Sequence, residues 1–600
     1  MTILANYPIV QPSLNLDFAH SGGVLDPRVT FSRSTTAPYY DGKTSVLAEQ
    51  NLLTYSQDFT NAVWVKGFAT NTPNTTTAPD GTSTASTLTP DTSSNYHRMV
   101  INAGFSIPAG NGVESIYVKA NGYSKIALRE GNFGAYVAFD VSAGTIVFTS
   151  GSTSGTITSV GNSWYRISIA NTGQNTQYYE FYVLPTSYVS GSPLTAWTGD
   201  GTSGVYIWGA QLEQRSSVTA YTPTTSSTIT NYIPTLQTAA ANIPRFDWDP
   251  ISKTPLGLLI EQSCTNLLFQ SQTFNNLGVW AVANATLTAN ANIAPDGTQT
   301  VFQLIPSASS AFTNVSQSIT AIAQAYTTSW YVKYNGVQFV QILFGGGLST
   351  NYANYDLING TVTGGTYTSA TITPVGNGVY RISTTNNFAA TSSGIYLAAI
   401  VTGTSARASN YTGNGYSGIY IWGAQLEALA FPTSYIPTTS AQVTRASDNA
   451  SMTGTNFSSW FNQGQGTVYC ESSLFSVSGS SPGIYSFDDG TTSNALNSFY
   501  GPNIYANSRV GGANVFTSYS STLASTPTFY KQSFSYANAN YISVFSGGTP
   551  ITQTSGVVPS GLNRLQIGSY AGGYLNGRMK KLSFYPQALP SNQLQTLTGY

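Results

Sequence analysis

The 600-residue sequence has little charge. Asp, Glu, Lys and Arg make up only 8% of it, and the formal net charge is −1. Such a chain offers no basic field for nucleic acid and no polybasic patch for an anionic membrane. It also has only two cysteines, Cys264 and Cys470, far apart in the sequence. We therefore expect both to be buried free thiols rather than a disulfide framework or a metal site.

Long apolar runs and export signals are missing as well. No run approaches the roughly 20 apolar residues of a membrane span, so we predict no membrane insertion. The start, MTILANYPIVQPSLNLDF, lacks the basic region and apolar core of a signal peptide. Aromatic residues are plentiful, with 40 Tyr, 28 Phe and 9 Trp, whereas disordered chains contain few of them. Together with many Thr, Ser, Asn and Gly residues, this composition predicts an all-β protein with polar turns.

A Trp-centred phrase occurs twice, as VYIWGAQLE at 205–213 and as IYIWGAQLE at 419–427. Other pairs follow in the same order at nearly the same offset: NLLTYSQDFTNAVW with NLLFQSQTFNNLGVW, VGNSWYRIS with VGNGVYRIS, and YTPTTS with YIPTTS. Two copies are too few, and the period too long, for a solenoid. The pattern predicts one duplicated domain, with copies at 46–226 and 257–440.

Apolar residues within each copy alternate with a period of two, as in SWYRISI, where Ile167 and Ile169 share a face opposite Trp164 and Arg166. Short alternating runs separated by Gly and Asn-Gly turns predict antiparallel β-sandwiches of the jelly-roll kind. Trp208 and Trp422, at the centre of the repeated phrase, are expected to be core or inter-sheet aromatic residues. A role in stacking on a sugar is the alternative.

The rest of the chain is divided by position. Residues 1–45 are interpreted as a leader or anchor segment, 227–256 as a linker, and 441–600 as a second kind of sandwich. Arg33, Arg245 and Arg445 each stand just ahead of a new unit. The sequence thus predicts three units in tandem, joined by extended Pro-, Thr- and Ser-rich connectors.

No catalytic group, metal site or cofactor is predicted. Glycoside hydrolysis needs two carboxylates about 5–10 Å apart, and the third unit offers no motif that would place them so. Its acids are Asp448, Glu471, Asp488 and Asp489. The two histidines, His20 and His97, have no companions at metal-ligand spacing. In the repeats, four acids are expected to cap turns or to hold a structural cation such as calcium: Asp140, Asp356, Glu213 and Glu427.

Sugar recognition uses aromatic faces and planar polar groups. If Ile167 and Ile169 face the core, the other face of the sheet is expected to present candidate glycan-binding residues in both copies. These are Tyr117, Lys119, Trp164 and Arg166 in the first copy, and Tyr331, Lys333 and Arg381 in the second. Val379 replaces Trp164 in the second copy, so the first is the better candidate. The alternative is that this face packs on a neighbouring subunit.

Several strings resemble modular virion structural proteins of tailed bacteriophages: DPRVTFSRSTTAPYYDG, TAAANIPRFDWDP, PLGLLIEQSCTNLL and GYLNGRMKKLSFYPQALPSNQLQTLT. In that family, carbohydrate-binding-module-like jelly rolls alternate with concanavalin A-like (laminin G-like) domains. The resemblance covers nearly the whole chain. It departs from the usual LLIEEQRTNLL at Gln262, Ser263 and Cys264. It implies a concanavalin A-like sandwich at 441–600.

The resemblance also implies a function. It points to a non-enzymatic tail fibre, spike or head fibre on the virion surface, exposed to the extracellular medium after host lysis. The implied partners are other phage virion proteins and the host surface polysaccharide, and the implied assembly is a homotrimer. Two alternatives stay open: a purely structural head-fibre, capsid-decoration or baseplate protein, and a polysaccharide depolymerase.

Overall fold

The computed structural model describes residues 7–101, 111–130, 134–151, 153–171, 179–476, 481–520 and 528–599. Almost every element is a β-strand, and the strands form antiparallel sandwiches, which confirms the predicted fold class. Two helices occur among the described residues, Thr455–Ser458 and Ser591–Gly599. Neither has the length and apolarity that crossing a membrane requires.

Each copy of the duplicated sequence forms a sandwich of two six-stranded sheets, here called the first and second repeats. The signature sheet of a repeat is the one that contains the repeated phrase, and the other is its opposite sheet. In the first repeat the signature sheet runs in the order Ser154–Gly161, Trp164–Asn171, Gly112–Asn121, Gly204–Glu213, Ala85–Pro90 and Ala69–Thr76. Its opposite sheet runs Thr145–Thr149, Tyr136–Asp140, Lys125–Glu130, Tyr179–Val183, Arg98–Ile101 and Trp64–Gly67.

The second repeat has the same strand order. Its signature sheet runs Ser369–Gly376, Val379–Phe388, Gln324–Asn335, Gly418–Glu427, Val301–Pro306 and Ala285–Asn292. Its opposite sheet runs Thr361–Thr366, Tyr352–Asp356, Phe339–Phe344, Thr391–Ile400, Asn314–Ala321 and Ala281–Ala283. The alternation seen in the sequence decides which side chains lie between the sheets: Ile167 and Ile169 are buried in the first core and Ile382 in the second.

The terminal sandwich contains a seven-stranded sheet and an eight-stranded sheet. The seven strands are Thr30–Ser32, Asn449–Thr453, Arg564–Ile567, Gly483–Asp488, Ala495–Tyr500, Ile504–Val510 and Ala513–Tyr519. The eight are Phe246–Trp248, Pro255–Ile260, Gly577–Tyr585, Gln465–Leu474, Tyr530–Ala537, Asn540–Phe545 and Ile551–Gln553, with Leu14–Asp17 also paired to Gly577–Tyr585.

Four of these strands come from outside 441–600, namely Leu14–Asp17, Thr30–Ser32, Phe246–Trp248 and Pro255–Ile260. The terminal sandwich is therefore discontinuous, and the repeats are inserted between its strands. This differs from the tandem units expected from the sequence. The physical reason is that alternating apolar residues such as Leu14 and Leu16 need a face to bury, and the strand Gly577–Tyr585 provides it.

A long two-stranded ribbon joins the units. It pairs Ala37–Asn51 with Ile229–Ala239 and packs against the second repeat. Three shorter pairs complete the described strands: Ser94–Asn95 with Trp197–Thr198, Cys264–Asn266 with Val443–Arg445, and Ser569–Tyr570 with Gly573–Tyr574.

Candidate functional site

The repeated phrase forms a strand with a β-bulge. Before the bulge, Tyr206 and Trp208 lie on the outer face of the signature sheet, away from the core. The bulge falls at Gly209, whose φ of 61° is left-handed and suits glycine. Beyond it, Ala210 and Leu212 point into the core. The bulge thus places the tryptophan outside the core and the apolar residues that follow it inside.

The polar residues of the phrase turn the chain back over the tryptophan. Gln211 Oε1 accepts a hydrogen bond from the backbone N–H of Thr222 at 2.6 Å. The carboxylate of Glu213 accepts from the backbone N–H of Thr219 at 3.0 Å and also from its hydroxyl group. The ring of Tyr221 comes to lie 4.7 Å from that of Trp208. Glu213 is therefore a loop-holding residue, in line with the turn-capping role predicted for it.

The second repeat reproduces this arrangement. Glu427 accepts from the backbone N–H of Thr433 at 3.0 Å, and the ring of Tyr435 lies 4.8 Å from that of Trp422. Burial raises the pKa of the Glu427 carboxyl. In both repeats, therefore, the shared phrase forms the same structure, a loop held over a buried tryptophan.

Both tryptophans are buried, but outside the main cores. Trp208 is 3% exposed and Trp422 is 1% exposed. Each indole N–H donates to a threonine hydroxyl at 3.0 Å, that of Thr84 in the first repeat and that of Thr300 in the second. Burial of these residues was expected, whereas their position on the outer face follows from the bulge.

In the second repeat the ribbon covers the outer face of the signature sheet. Tyr331, a predicted glycan-binding residue, is only 3% exposed. Lys333 forms an ion pair with Glu49 of the ribbon, and the guanidinium of Arg381 lies 5.6 Å from the centre of the Tyr331 ring. The ribbon thus covers Tyr331 and pairs with Lys333, while Lys333 and Arg381 stay half-buried.

In the first repeat a loop of the second repeat lies against the edge of the equivalent face. A Cβ atom added to Gly81 would overlap the ring of Tyr416. Tyr117, Lys119 and Arg166 are half-buried. Another part of the same chain therefore packs on this face in the second repeat and against its edge in the first, whereas the alternative of packing on a neighbouring subunit stays a prediction.

Two of the predicted residues in the first repeat have structural partners. Trp164 is 2% exposed, and its indole N–H donates to the carbonyl of Thr77 at 3.1 Å. Arg166 donates to Ser115 Oγ at 2.9 Å and lies 5.3 Å from the centre of the Tyr117 ring. Trp164 was expected on the surface. It is instead buried because the loop 77–84, which joins the strands Ala69–Thr76 and Ala85–Pro90 of the signature sheet, folds over it.

A different surface emerges on the opposite sheet of the first repeat. We call it the arginine surface, and its residues are Tyr96, Arg98, Arg129, Glu180 and Tyr182. The Glu180 side chain is 2% exposed, whereas those of Arg98 and Arg129 are 41% and 28% exposed. Glu180 accepts from Arg98 Nη1 at 2.8 Å, from Tyr182 Oη at 3.1 Å and from Arg129. A buried carboxylate thus fixes two accessible guanidinium groups.

Aromatic rings border these guanidinium groups. Arg98 lies 6.0 Å from the centre of the Tyr182 ring, and the rings of Tyr96 and Tyr182 are 6.3 Å apart at 84°. Tyr96 is 42% exposed. Burial alone would lower the pKa of Arg98, but Tyr182 and Glu180 outweigh it and raise that pKa.

The second repeat does not carry this surface. Strand register places Asn314, Leu343, Tyr396 and Ala398 at the positions of Arg98, Arg129, Glu180 and Tyr182. Sequence reasoning missed the surface because it compared what the repeats share. The available signal was the opposite one, charged residues in one copy at positions where the other is neutral.

The three leader arginines meet in a buried ion cluster, which consists of Arg33, Arg245, Arg445, Asp448 and Glu261. All five are 0–1% exposed. Asp448 binds Arg33 Nη1 at 2.9 Å and Arg245 Nη2 at 2.5 Å. Glu261 binds Arg245 Nη2 at 2.8 Å and Arg445 Nη1 at 3.1 Å. The cluster joins the leader (Arg33), the linker (Arg245), the start of the second copy (Glu261) and the start of 441–600 (Arg445 and Asp448).

Burial would raise the pKa of Glu261, but Arg445 and Arg245 outweigh it and hold that pKa at about 2. Burial lowers the pKa of Arg33, although its hydrogen bond to Asp448 opposes this shift. The cluster thus stabilises the ionised form of Glu261.

The other acids of the terminal sandwich are also engaged. Asp488 pairs with Arg564, Asp489 Oδ1 accepts from the backbone N–H of Thr491 at 2.9 Å, and Glu471 lies 3.7 Å from the ammonium of Lys580. No group of three or more His, Cys, Asp or Glu side chains placed to hold a metal ion occurs in the part of the chain that the structure describes.

Single residues in the repeats have local roles. Asp140 accepts from the backbone N–H of Ser142 and Asp356 from that of Ile358, so both cap turns as predicted. Cys264 and Cys470 are buried and free, which confirms the prediction for both.

No protein-family model matches the chain, and neither does any curated protein. Among solved structures, it is similar to a carbohydrate-binding module of family 40 from the Ruminococcus gnavus IT-sialidase, bound to α2,3-sialyllactose. The identity is 13%, with 24% of this chain and 88% of that one covered at a TM-score of 0.22.

Two further solved structures are similar over longer stretches. One is the tandem CBM22-1–CBM22-2 domain of Paenibacillus barcinonensis Xyn10C, at 10% identity, covering 65% of this chain and 100% of that one with a TM-score of 0.19. The other is the LG1-3 region of the laminin α2 chain, at 10% identity, covering 83% and 96% with a TM-score of 0.21. Since none of these three TM-scores reaches 0.5, the description of the fold rests on the chain's own strand pairing.

Proposed function

We propose that this chain is a non-enzymatic virion protein of a tailed bacteriophage and that it contacts host surface polysaccharide through the arginine surface of its first repeat. The phage context is supported by the sequence strings that resemble modular virion proteins. The observation that carries the binding site is the exposed Arg98 guanidinium, held by buried Glu180 beside the rings of Tyr96 and Tyr182.

The chemistry of this surface suits a polysaccharide. Planar guanidinium groups donate paired hydrogen bonds to hydroxyl or carboxylate oxygens, and an exposed tyrosine ring stacks on the C–H face of a sugar. The pair of arginines exceeds the single carboxylate by one positive charge, which favours polysaccharides that carry acidic sugars. A flat site of this size binds weakly, and several chains in one fibre would raise the avidity through effective concentration.

The non-enzymatic part of the proposal is supported by the acids of the terminal sandwich. Each carboxylate named above already has an arginine, a lysine or a turn N–H as its partner, as is expected of structural acids.

An array of purified bacterial capsular polysaccharides and lipopolysaccharides tests the binding site. We expect the full chain to bind at least one of them and Arg98→Ala to weaken that binding at least tenfold. Arg28→Ala is the matched control, because Arg28 is a surface arginine paired with Asp26 in the leader. Equal binding by Arg98→Ala would refute the site.

The same array separates the alternatives. A chain that binds no polysaccharide, and that antibodies locate on the head or baseplate of the particle, would be a purely structural protein. Release of reducing ends from a bound polysaccharide would identify a depolymerase. Light scattering tests the proposed homotrimer.

A further inference from the structure

Unpartnered polar atoms gather on the outer face of the seven-stranded sheet in the terminal sandwich. Asn497 and Asn507 face each other on neighbouring strands and are 0% and 5% exposed. Both amide atoms of Asn497 and Oδ1 of Asn507 are buried without a hydrogen-bond partner among the described residues, as is Nε of Arg509. Buried side-chain atoms without partners are uncommon in folded proteins, and each calls for an explanation.

These residues lie outside the apolar core. Leu496 and Ala506, their neighbours in the two strands, point into that core, so Asn497 and Asn507 point to the other side of the sheet. Arg509 is paired with Ala495, two residues before Asn497 in its strand. It reaches across to donate from Nη1 to the hydroxyl of Tyr570 at 3.2 Å.

Arg509 lies on the same face of the sheet as the two amides, two residues beyond Asn507 in its strand. Its second contact is from Nη2 to the carbonyl of Gly512, at 2.7 Å, in an exposed turn. The side chain is half-buried and held by two hydrogen bonds to the rim.

Aromatic rings line one side of the same patch. The rings of Phe499 and Tyr505 stack at 4.9 Å, and that of Tyr570 lies 5.7 Å from Phe499. Tyr519 continues the row 5.7 Å from Tyr505 and is 54% exposed. The patch thus combines an apolar wall with a polar floor.

The unpartnered atoms include both hydrogen-bond donors and acceptors, and this mixture limits the chemical class of ligand that could pair with all of them. Asn497 Nδ2 and Arg509 Nε are donors, whereas Oδ1 of Asn497 and Oδ1 of Asn507 are acceptors. An anion would leave both acceptors unpaired, and a cation would face the positive charge of Arg509. A hydroxyl group both donates and accepts, so neighbouring hydroxyl groups could satisfy all four atoms.

We propose that this patch, with Asn497 and Asn507 as its floor and Arg509 beside them, binds a neutral saccharide. The site is separate from the arginine surface, so the failure of one proposal leaves the other standing. A neutral sugar hydrogen-bonds the amides through adjacent hydroxyl groups and lies along the Phe499–Tyr505 wall.

The test uses the full chain in an Arg98→Ala background, so that the first repeat does not contribute to binding. Calorimetric titrations would use cellohexaose, maltohexaose, xylohexaose and mannohexaose, with polygalacturonate and calcium chloride as charged probes. We expect one neutral oligosaccharide to bind and neither charged probe to bind at this patch. Asn497→Leu, which has a similar side-chain volume, should weaken that binding at least tenfold.

Asn497→Leu should also melt at the same temperature as the parent or higher, because leucine removes two unpartnered atoms from a buried position. Asn540→Leu, an exposed strand asparagine of the other sheet, is the matched control and should bind like the parent. The proposal is overturned if no neutral oligosaccharide binds the parent, if Asn497→Leu binds equally well, or if Asn497→Leu melts earlier, since the amide would then be structural.

Discussion

Replacing Asp448 with asparagine would test whether the buried ion cluster holds the terminal sandwich together. The cluster contains three arginines and two carboxylates, a formal charge of +1, and all five side chains are almost inaccessible to water. The substitution raises that buried charge to +2. It also brings an amide N–H toward guanidinium donors where Asp448 Oδ1 and Oδ2 now accept from Arg33 and Arg245.

The expected loss is large. Removing one partner of a buried ion pair costs about 3–5 kcal/mol, because the remaining charge stays buried without compensation. Ion pairs on the surface contribute little to stability because solvent screens their charges. This cluster is buried, so its charges are not screened in that way. We therefore expect Asp448→Asn to lower the free energy of unfolding of the terminal sandwich by about 3–5 kcal/mol.

Hydrogen–deuterium exchange in increasing urea is the suitable assay, because a chain with several sandwiches need not unfold in one step. The reporter is the strand Gly577–Tyr585, which pairs with leader and linker strands. Asp489→Asn, at a partly exposed turn, is the control and should change stability by less than about 1 kcal/mol. A loss below about 1 kcal/mol in Asp448→Asn would refute the view that this cluster is essential.

Three further outcomes follow from the same geometry. The pKa of Glu261 is held at about 2, below the usual value of 4.5 for a glutamate, so its contribution to stability is present above about pH 4.5 and is lost as the pH falls toward 2. The melting temperature of Glu261→Gln should therefore vary less than the parent's across this window. Trp164→Ala should destabilise the first repeat by about 3–5 kcal/mol, measured by urea unfolding, whereas a change below about 1 kcal/mol would mean that its burial contributes little. A fragment of residues 441–600 lacks four strands of the terminal sandwich and should be unfolded by circular dichroism, and a cooperative melting transition in it would contradict the discontinuous fold.

The sequence was sufficient for the class of fold and for the repeats. Alternation of apolar residues, as at Ile167 and Ile169, reports which side of a strand is buried, and this requires no knowledge of distant parts of the chain. The position of Asp140 just before a turn predicted its capping role, and Trp208 was expected to be buried, although in a core rather than on the outer face of a sheet. It did not reveal the bulge at Gly209, because a glycine in a strand can mark a bend, a turn or a close contact.

Which surfaces remain open was decided only by tertiary structure. Tyr117 and Tyr331 occupy equivalent positions, yet one is half-buried beside a loop and the other is covered by the ribbon. Arg98 and Glu180 are 82 residues apart in sequence and meet only because their strands pair. Periodicity reports the orientation of a side chain within its own strand, whereas burial of an outer face depends on which remote segment packs on it. For the same reason, the sequence placed Arg33, Arg245 and Arg445 only as three separate arginines, each just ahead of a new unit. They meet at Asp448 and Glu261 only when the whole chain folds.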